Sequence, residues 1–594
     1  MTDRKSAVHG PFTQEAKRLR MLLAQRSVEE LVEEERQRLR GEAGLEERRA
    51  NSSLLPPEPP FTREERGKAT IVVGGLTKRH DQFLKAILES HGHRVELVPI
   101  PSKEDFQVGR EFGSNGMCNP TYFTVGSCIN HLRRAMREHG LSRDEAARQY
   151  VFITPGSCGP CRFGMYESEY RNALHNAGFK EARVLVVDQY TYQESDEDAG
   201  LELGANLFMP AFEACFVGDL LNAAANQIRP YEIEAGSTDR AMEKVTQRVC
   251  TFLRKRDPRG APPRTLARSI AWLMHGKPRQ AQIVLDHLLQ DDYVQLMREC
   301  AETINSEVQV DYTRIRPVCK IMGEFWAQTT EGDGNFHMFA FLEEHGGQVL
   351  IEPVATWFQY LLANGYRRIH DKRRLTTDGY RLKDWDLFGR AGEWFTRQRN
   401  RALVYGMYHL VRREYHRLRD GLSPALPGQA DQFLYQKLAQ PYYDRRCTGG
   451  EGHLEVAKSL YYGKERKAHL ILSLKPFGCL PSTQSDGAQA AVVGHNPDIN
   501  FISIETSGEG DVNAHSRVLM MLSEAKRRCR EEVEQAIADS GYTLEDIRAY
   551  AAEHPELQKP LQPLPEIKGA ASAAARFAAR ACKLMKDEGV PAST

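Results

Sequence analysis

The stretch "ATIVVGGLTKRHDQFLKAILESHGHRVELVPI", Ala69–Ile100, decides the architecture. "ATIVVGGL" is an apolar, β-branched run closed by glycine. "TKRHDQFLKAILESHGH" then has helical periodicity, and "RVELVPI" returns to strand, so the three read as one β-α-β unit. The alternation resumes downstream, with "TVGSCINHLRRAMREHG" as helix, "YVFITPG" as strand, "ESEYRNALHNAGF" as helix and "ARVLVVDQ" as strand. Short apolar strands separated by helices predict an α/β fold with a mainly parallel sheet covered on both faces.

A second α/β region follows. "RPVCKIMGEF" reads as a strand entering a turn, "NFHMFAFLEEHG" as a helix and "GQVLIEPVA" as a strand. "AHLILSLKPFGC" and "INFISIET" read as the last two strands. The expected organisation is a charged helical arm and linker over 1–67, a first α/β domain over 68–235 and a helical connection over 236–310. A second α/β domain over 311–550 carries a helical insertion at roughly 357–440, and an Ala-rich helical tail, read as peripheral, fills 551–594.

At 594 residues the chain is too long for one ordinary core. Lys plus Arg and Asp plus Glu number 80 each, so nothing global points to nucleic acid or an anionic membrane. No uninterrupted apolar run reads as membrane-spanning, and "MTDRKSAVHGPFTQEAKRLR" lacks the apolar core of a secretory signal. The reading is a soluble cytoplasmic protein.

Twelve cysteines are spread along the chain, few of them expected in disulfides in a reducing compartment. Cys250, Cys300, Cys529 and Cys582 lie in helix-like segments, Cys319 in an apolar strand and Cys128 in a helix, all read as core. The rest of the argument concerns turns. Cys158 and Cys161 lie in "VFITPGSCGPCRFGMY" after the strand Tyr150–Thr154. Cys479, in "LKPFGCLPS", follows the strand His469–Leu474, and Cys118, in "FGSNGMCNPTYF", sits in a glycine-rich turn that opens a helix. Such strand ends are where open α/β sheets bind ligands. A disulfide switch, a zinc knuckle, a nucleophile and an iron–sulfur cluster are the candidate uses. A compact zinc site needs a second close pair, which Cys118 and Cys128 do not supply. A thioredoxin-like pair leaves Cys118 and Cys479 unexplained. Thiolates at helix N-termini are soft donors suited to zinc or to iron–sulfur iron.

Taken in order, "GMCNPTYFTVG", "GSCGPCRFGMY" and "KPFGCLPS" resemble the 2-hydroxyacyl-CoA dehydratase family, and in particular the dehydratase-like portion fused to or encoded beside its ATP-dependent activator. "IVVGGLTKRHDQFLKAILESHGHRVELVP" and "CKIMGEFWAQTTEGDGNFHMFAFLEEHGGQVLIEP" carry the likeness further, over roughly residues 68–530. The resemblance implies two Rossmann-like parallel-sheet domains with a 4Fe–4S cluster in the cleft. By position its ligands are Cys118, Cys161 and Cys479, with Cys158 a neighbour that could replace Cys161 or serve as a fourth. Some relatives hold an 8Fe–9S double cubane. The implied activity is that of a lyase or oxidoreductase, with dehydration or reduction of an acyl-CoA-type substrate driven by low-potential electrons. The electrons would come from a separate activator ATPase, because this chain has no phosphate-loop lysine motif. Related catalytic units are often paired, so a dimer is expected. The chain departs from close relatives at Thr121, where they often have a second cysteine.

Softer candidates complete the set. Glu324 ends the strand "VCKIMG", where it reads equally as a cleft acid that moves a proton and as a helix cap. Arg162 could bring positive charge to a cluster or an anionic substrate, or make an ordinary ion pair. His337 reads as a surface or capping residue, and Cys447, in "DRRCTGGEGH", is an outside candidate ligand.

Overall fold

The structure, a computed structural model, describes residues 28–42, 58–156, 159, 161–187, 199–256, 263–271, 277–373, 386–508 and 510–592. Cys158 lies outside the described residues. The chain forms two compact units, Met1–Pro57 and Glu58–Thr594. In the first, helix α1 (Val28–Glu42) carries charge pairs along its own surface, Arg38 with Glu35 and Glu42. The second unit begins ahead of residue 68: Phe61 is buried, and Glu58 pairs with Arg171 and accepts from the Val184 amide.

Within the second unit are two four-stranded, all-parallel sheets. In the first lobe, β1 (Thr70–Val73), α2 (Lys78–Ser90) and β2 (Arg94–Leu97) form the expected β-α-β unit. Next come α3 (Lys103–Phe112), α4 (Asn119–His139), α5 (Arg143–Gln149), β3 (Tyr150–Pro155), α6 (Tyr166–Asn176) and β4 (Arg183–Val187). The strand order is β2-β1-β3-β4. Side chains of alternate strand residues leave on opposite faces. Ile71 and Val73 therefore pack into one core and Val72 into another, so both faces are covered.

Helices α7 (Ala205–Ile228), α8 (Ser237–Lys255), α9 (Thr265–Ile270), α10 (Pro278–Leu289) and α11 (Asp292–Glu307) follow. They are more than a connection, since Phe216, Met242 and Met297 lie in the same core as Ile71. By length and composition α7 is apolar enough to cross a membrane, against the sequence reading, but it is mostly buried inside the fold. Its Glu213 and Asp219 are themselves buried.

The second lobe repeats the order. It comprises β5 (Val318–Gly323), α12 (Phe325–Thr329), α13 (Met338–Glu344), β6 (Gln348–Leu350), α14 (Ala355–Asp371), α15 (Leu387–Leu422), α16 (Gln432–Ala439), α17 (Gly452–Lys458), β7 (Leu470–Pro476), α18 (Leu480–His495), β8 (Phe501–Thr506) and α19 (Asp511–Ile537). Its strands run β6-β5-β7-β8. Cys319 and Ile321 face one core and Met322 the other.

Two helices, α20 (Leu544–Glu553) and α21 (Ala573–Asp587), close the chain. The Ala-rich tail is not peripheral. Ala574, Ala575, Phe577, Ala578 and Ala581 of α21 are buried, and the helix packs against α19. Its apolar residues recur at helical spacing, with Arg576, Arg580, Lys583 and Lys586 between them. The lobes meet through Phe106, Tyr122 and Phe123 of the first and Trp326 of the second, with Phe123 and Trp326 ring centres 5.5 Å apart.

Candidate metal centre between the lobes

In each sheet the chain passes from the first strand outward to the second, then returns to the other side for the third. That reversal makes a crevice beyond the carboxyl ends of the first and third strands. The Cys161 turn follows β3, Glu324 follows β5 and Cys479 follows β7. Cys118 enters from the turn before α4.

All three cysteines are N-caps, Cys118 of α4, Cys479 of α18 and Cys161 of the short helix Arg162–Met165. None makes a side-chain capping bond. Cys118 and Cys479 each have proline at the second helical position, where its missing N–H costs nothing. The helix N-termini turn positive dipole ends toward the thiols.

The turns touch across the lobes. The Asn119 amide donates to the Phe477 carbonyl at 3.1 Å, and Asn119 Nδ2 donates to the Thr506 carbonyl at 2.8 Å. Gly478, with φ +80°, lies so close that a Cβ there would sit 3.0 Å from the Met117 carbonyl and 3.2 Å from Cys118 Cα. The Cys161 turn is gripped similarly. A Cβ on Gly450 would meet Pro481 Cγ at 2.2 Å and Cys161 Cβ at 3.6 Å. Arg162 donates to the Gly116 carbonyl, tying the Cys161 turn to the Cys118 turn, with no carboxylate partner among the described residues. The structure thus brings the neighbouring turns of Cys118 and Cys161 together with the distant turn of Cys479 from the other lobe.

The surroundings of the three thiols are acidic as well as sulfurous. The Cys118 thiol and the Tyr166 hydroxyl share a hydrogen bond of 3.0 Å, and Thr121 Oγ1 lies 3.4 Å from the same sulfur. Thr121 therefore contributes a hydroxyl contact where close relatives of the resembled family often have sulfur. Burial pushes the Cys161 and Cys479 thiols up to about 12, assisted by negative charge on Glu324. Cys118 is raised for the same reasons. Burial lifts Glu324 to about 7 against two backbone amides that favour its charged form, with Glu451 and Glu455 adding to the rise. Its side chain accepts from the Ala327 amide at 2.9 Å, so it caps α12, and its charge reaches the thiols.

A group of buried thiols beside carboxylates loses its protons only when a cation joins it. The donor set is all sulfur and soft, the ligand type that iron–sulfur iron takes. It is not drawn together as for one small ion. Among the described residues, the one group of three ligating side chains within 4.8 Å of one another is His80, Cys215 and Asp219, elsewhere in the fold. That group is occupied with structure: His80 Nε2 is 3.0 Å from the Cys215 carbonyl, and Asp219 accepts from the Val354 and Ala355 amides, both at 2.8 Å.

No family model, curated protein or solved structure matches this chain. The site is accordingly read from its own residues.

His337 is exposed at the N-terminus of α13, in left-handed backbone with φ +49°, and bonds Asp333, as a surface residue would. Cys447 is exposed. Cys319 is buried in its strand, and the Cys128 thiol packs against the first lobe's core. Tyr166, Glu451 and Glu455 are participants that sequence reasoning misses. Glu455 is fully buried and accepts from Ser482 and Ser485, each at 2.9 Å, so it anchors the first turn of α18 that presents Cys479. The signal available for it was "GGEGHLE", a glycine turn with two acids, read only for its neighbouring Cys447.

Proposed function

We propose that this chain is the iron–sulfur component of a two-protein system of the 2-hydroxyacyl-CoA dehydratase kind. It accepts low-potential electrons from a cytoplasmic ATP-dependent activator and uses them in dehydrating or reducing an acyl-CoA-type substrate. The observation that carries the reading is the meeting of Cys118, Cys161 and Cys479 at three uncapped helix N-termini across the lobe boundary. A bound 4Fe–4S cluster would supply one-electron transfer and a Lewis-acidic iron.

The remaining work falls to the chain. Cys118, Cys161 and Cys479 would hold the centre, with Cys158 adjacent in sequence. Tyr166 directs its hydroxyl at the Cys118 sulfur, and such bonds tune a centre's potential. Glu324, poised near neutrality, would hold or release a proton at its carboxylate oxygen beside the cleft. Arg162 keeps two cysteine turns in register through the Gly116 carbonyl. The Phe106–Phe123–Trp326 cluster excludes water behind them.

The same thiols also suit a double-cubane reductase of small molecules, or an iron–sulfur scaffold without catalysis. Anaerobic purification with iron and sulfide analysis separates these. About four irons per chain support a single cubane and about eight a double one. Activator-dependent turnover distinguishes an enzyme from a scaffold. A preparation filled with zinc alone, or wild-type iron content retained by the Cys118→Ala, Cys161→Ala and Cys479→Ala variants, sinks the proposal.

A further inference from the structure

A cavity of about 370 Å³ opens between the start of α2, the middle of α7, α8 and the β6 edge of the second sheet, a volume typical of small-molecule sites. It stands apart from the thiols: Glu324 caps one end of α12, and Gln328–Glu331, at the other end, line the cavity.

Two helices supply polar side chains to this cavity at helical spacing, Arg79 and Gln82 from α2 and Asn222 and Asn226 from α7. Arg79 is held in place by donating to Asn222 Oδ1 at 2.6 Å, and Asn222 in turn donates to Thr77 Oγ1 at 2.9 Å. The Arg79 Nε is buried with no partner, and the guanidinium forms no ion pair among the described residues. The acids of the wall are engaged otherwise. Asp239 pairs with Arg229 at 3.0 Å, Glu352 with Lys320 at 2.8 Å, Asp219 with the Val354 and Ala355 amides, Glu331 with the Ala340 amide at 2.6 Å and Glu243 with Gln247 Nε2 at 3.1 Å. Asp239 and Glu243 lie near enough for their charge to reach Arg79 but do not bond it.

A guanidinium that borders a cavity without a carboxylate partner is a planar fork for an oxyanion. Nearby carboxylates oppose a second negative charge. We propose that this cavity binds a small organic monocarboxylate, its carboxylate on Arg79 and its polar body among the carboxamides of Gln82 and Asn226. The site is independent of the metal centre and stands whether or not that centre carries iron.

Titration calorimetry of the full-length protein with glycolate, glycerate and inorganic phosphate tests it. Saturable binding of a carboxylate, tighter than phosphate, is expected. Arg79→Gln should weaken it about tenfold or more, with Arg79→Lys between. Circular dichroism checks folding. Asn226→Leu, which leaves the guanidinium in place, should also weaken binding and carries the test if Arg79→Gln does not fold. Absence of saturable carboxylate binding, phosphate binding at least as tightly, or affinities unchanged in the folded variants overturns the proposal.

Discussion

Asn119 and Phe477 join the lobes backbone to backbone, the Asn119 N–H meeting the Phe477 carbonyl at 3.1 Å one residue from Cys118 and two from Cys479. The Asn119 side chain repeats the link to Thr506 at 2.8 Å. Asn119→Ala removes only the second bond and leaves the buried Thr506 carbonyl without that donor. A loss of about 0.5–1.5 kcal/mol is expected in denaturant unfolding, because the Thr506 carbonyl keeps the Phe477 N–H at 3.0 Å. Metal retention should fall with it, since the Cys118 and Cys479 turns are then less firmly held together.

Gly478 and Gly569 share φ near +80°, but only Gly478 faces another backbone, while a Cβ on Gly569 meets nothing within 4 Å. Gly569→Ala is expected to cost about 1 kcal/mol, from the left-handed backbone alone. Gly478→Ala adds a forced separation from Met117 and Cys118. Its melting temperature should drop further, and Cys118 and Cys479 should react faster with a thiol reagent. Equal effects of the two substitutions would count against the close approach.

Glu213 is fully buried, and neither of its carboxylate oxygens has a hydrogen-bond partner among the described residues. Burial, with the charge of Glu414 second, raises its pKa well above 4.5. A folded-state pKa above the unfolded one means that stability is fullest below about 4.5 and is lost as pH rises toward the folded value. Glu213→Leu should flatten that part of the pH profile and raise stability at neutral pH by about 1–3 kcal/mol. A variant less stable than wild type at neutral pH would show that the carboxyl is satisfied.

Lys320 and Glu352 pair at 2.8 Å within the second lobe, with Lys320 fully buried. Lys320→Met strands the carboxylate and should cost about 3–5 kcal/mol in chemical denaturation, whereas the double change Lys320→Met with Glu352→Leu should recover most of it. Failure of the double change to recover stability would mean that the pair is held by more than mutual charge compensation.

The two parallel sheets are legible in sequence because buried parallel strands are continuous apolar runs, as in "TIVV" and "LILSLKP". The cysteine turns are legible because glycine and proline have few other reasons to flank a thiol at a strand end. Tyr166 is not, since an aromatic at the start of a helix usually serves packing, and only the fold sets its hydroxyl 3.0 Å from Cys118. Glu455 escapes because its partners Ser482 and Ser485 lie in another element. The burial of the tail escapes because an amphipathic face shows that a helix packs without showing what it packs on.

The matched strand order of the two sheets pairs the Cys161 turn with the Cys479 turn, each following its lobe's third strand, while Cys118 has its thiol in the first lobe alone. The grip on anything held there is therefore lopsided, two sulfurs against one. Were the halves to part, as a clam opens, the cargo would stay with the amino-terminal shell, and the carboxyl-terminal shell would be the one to let go.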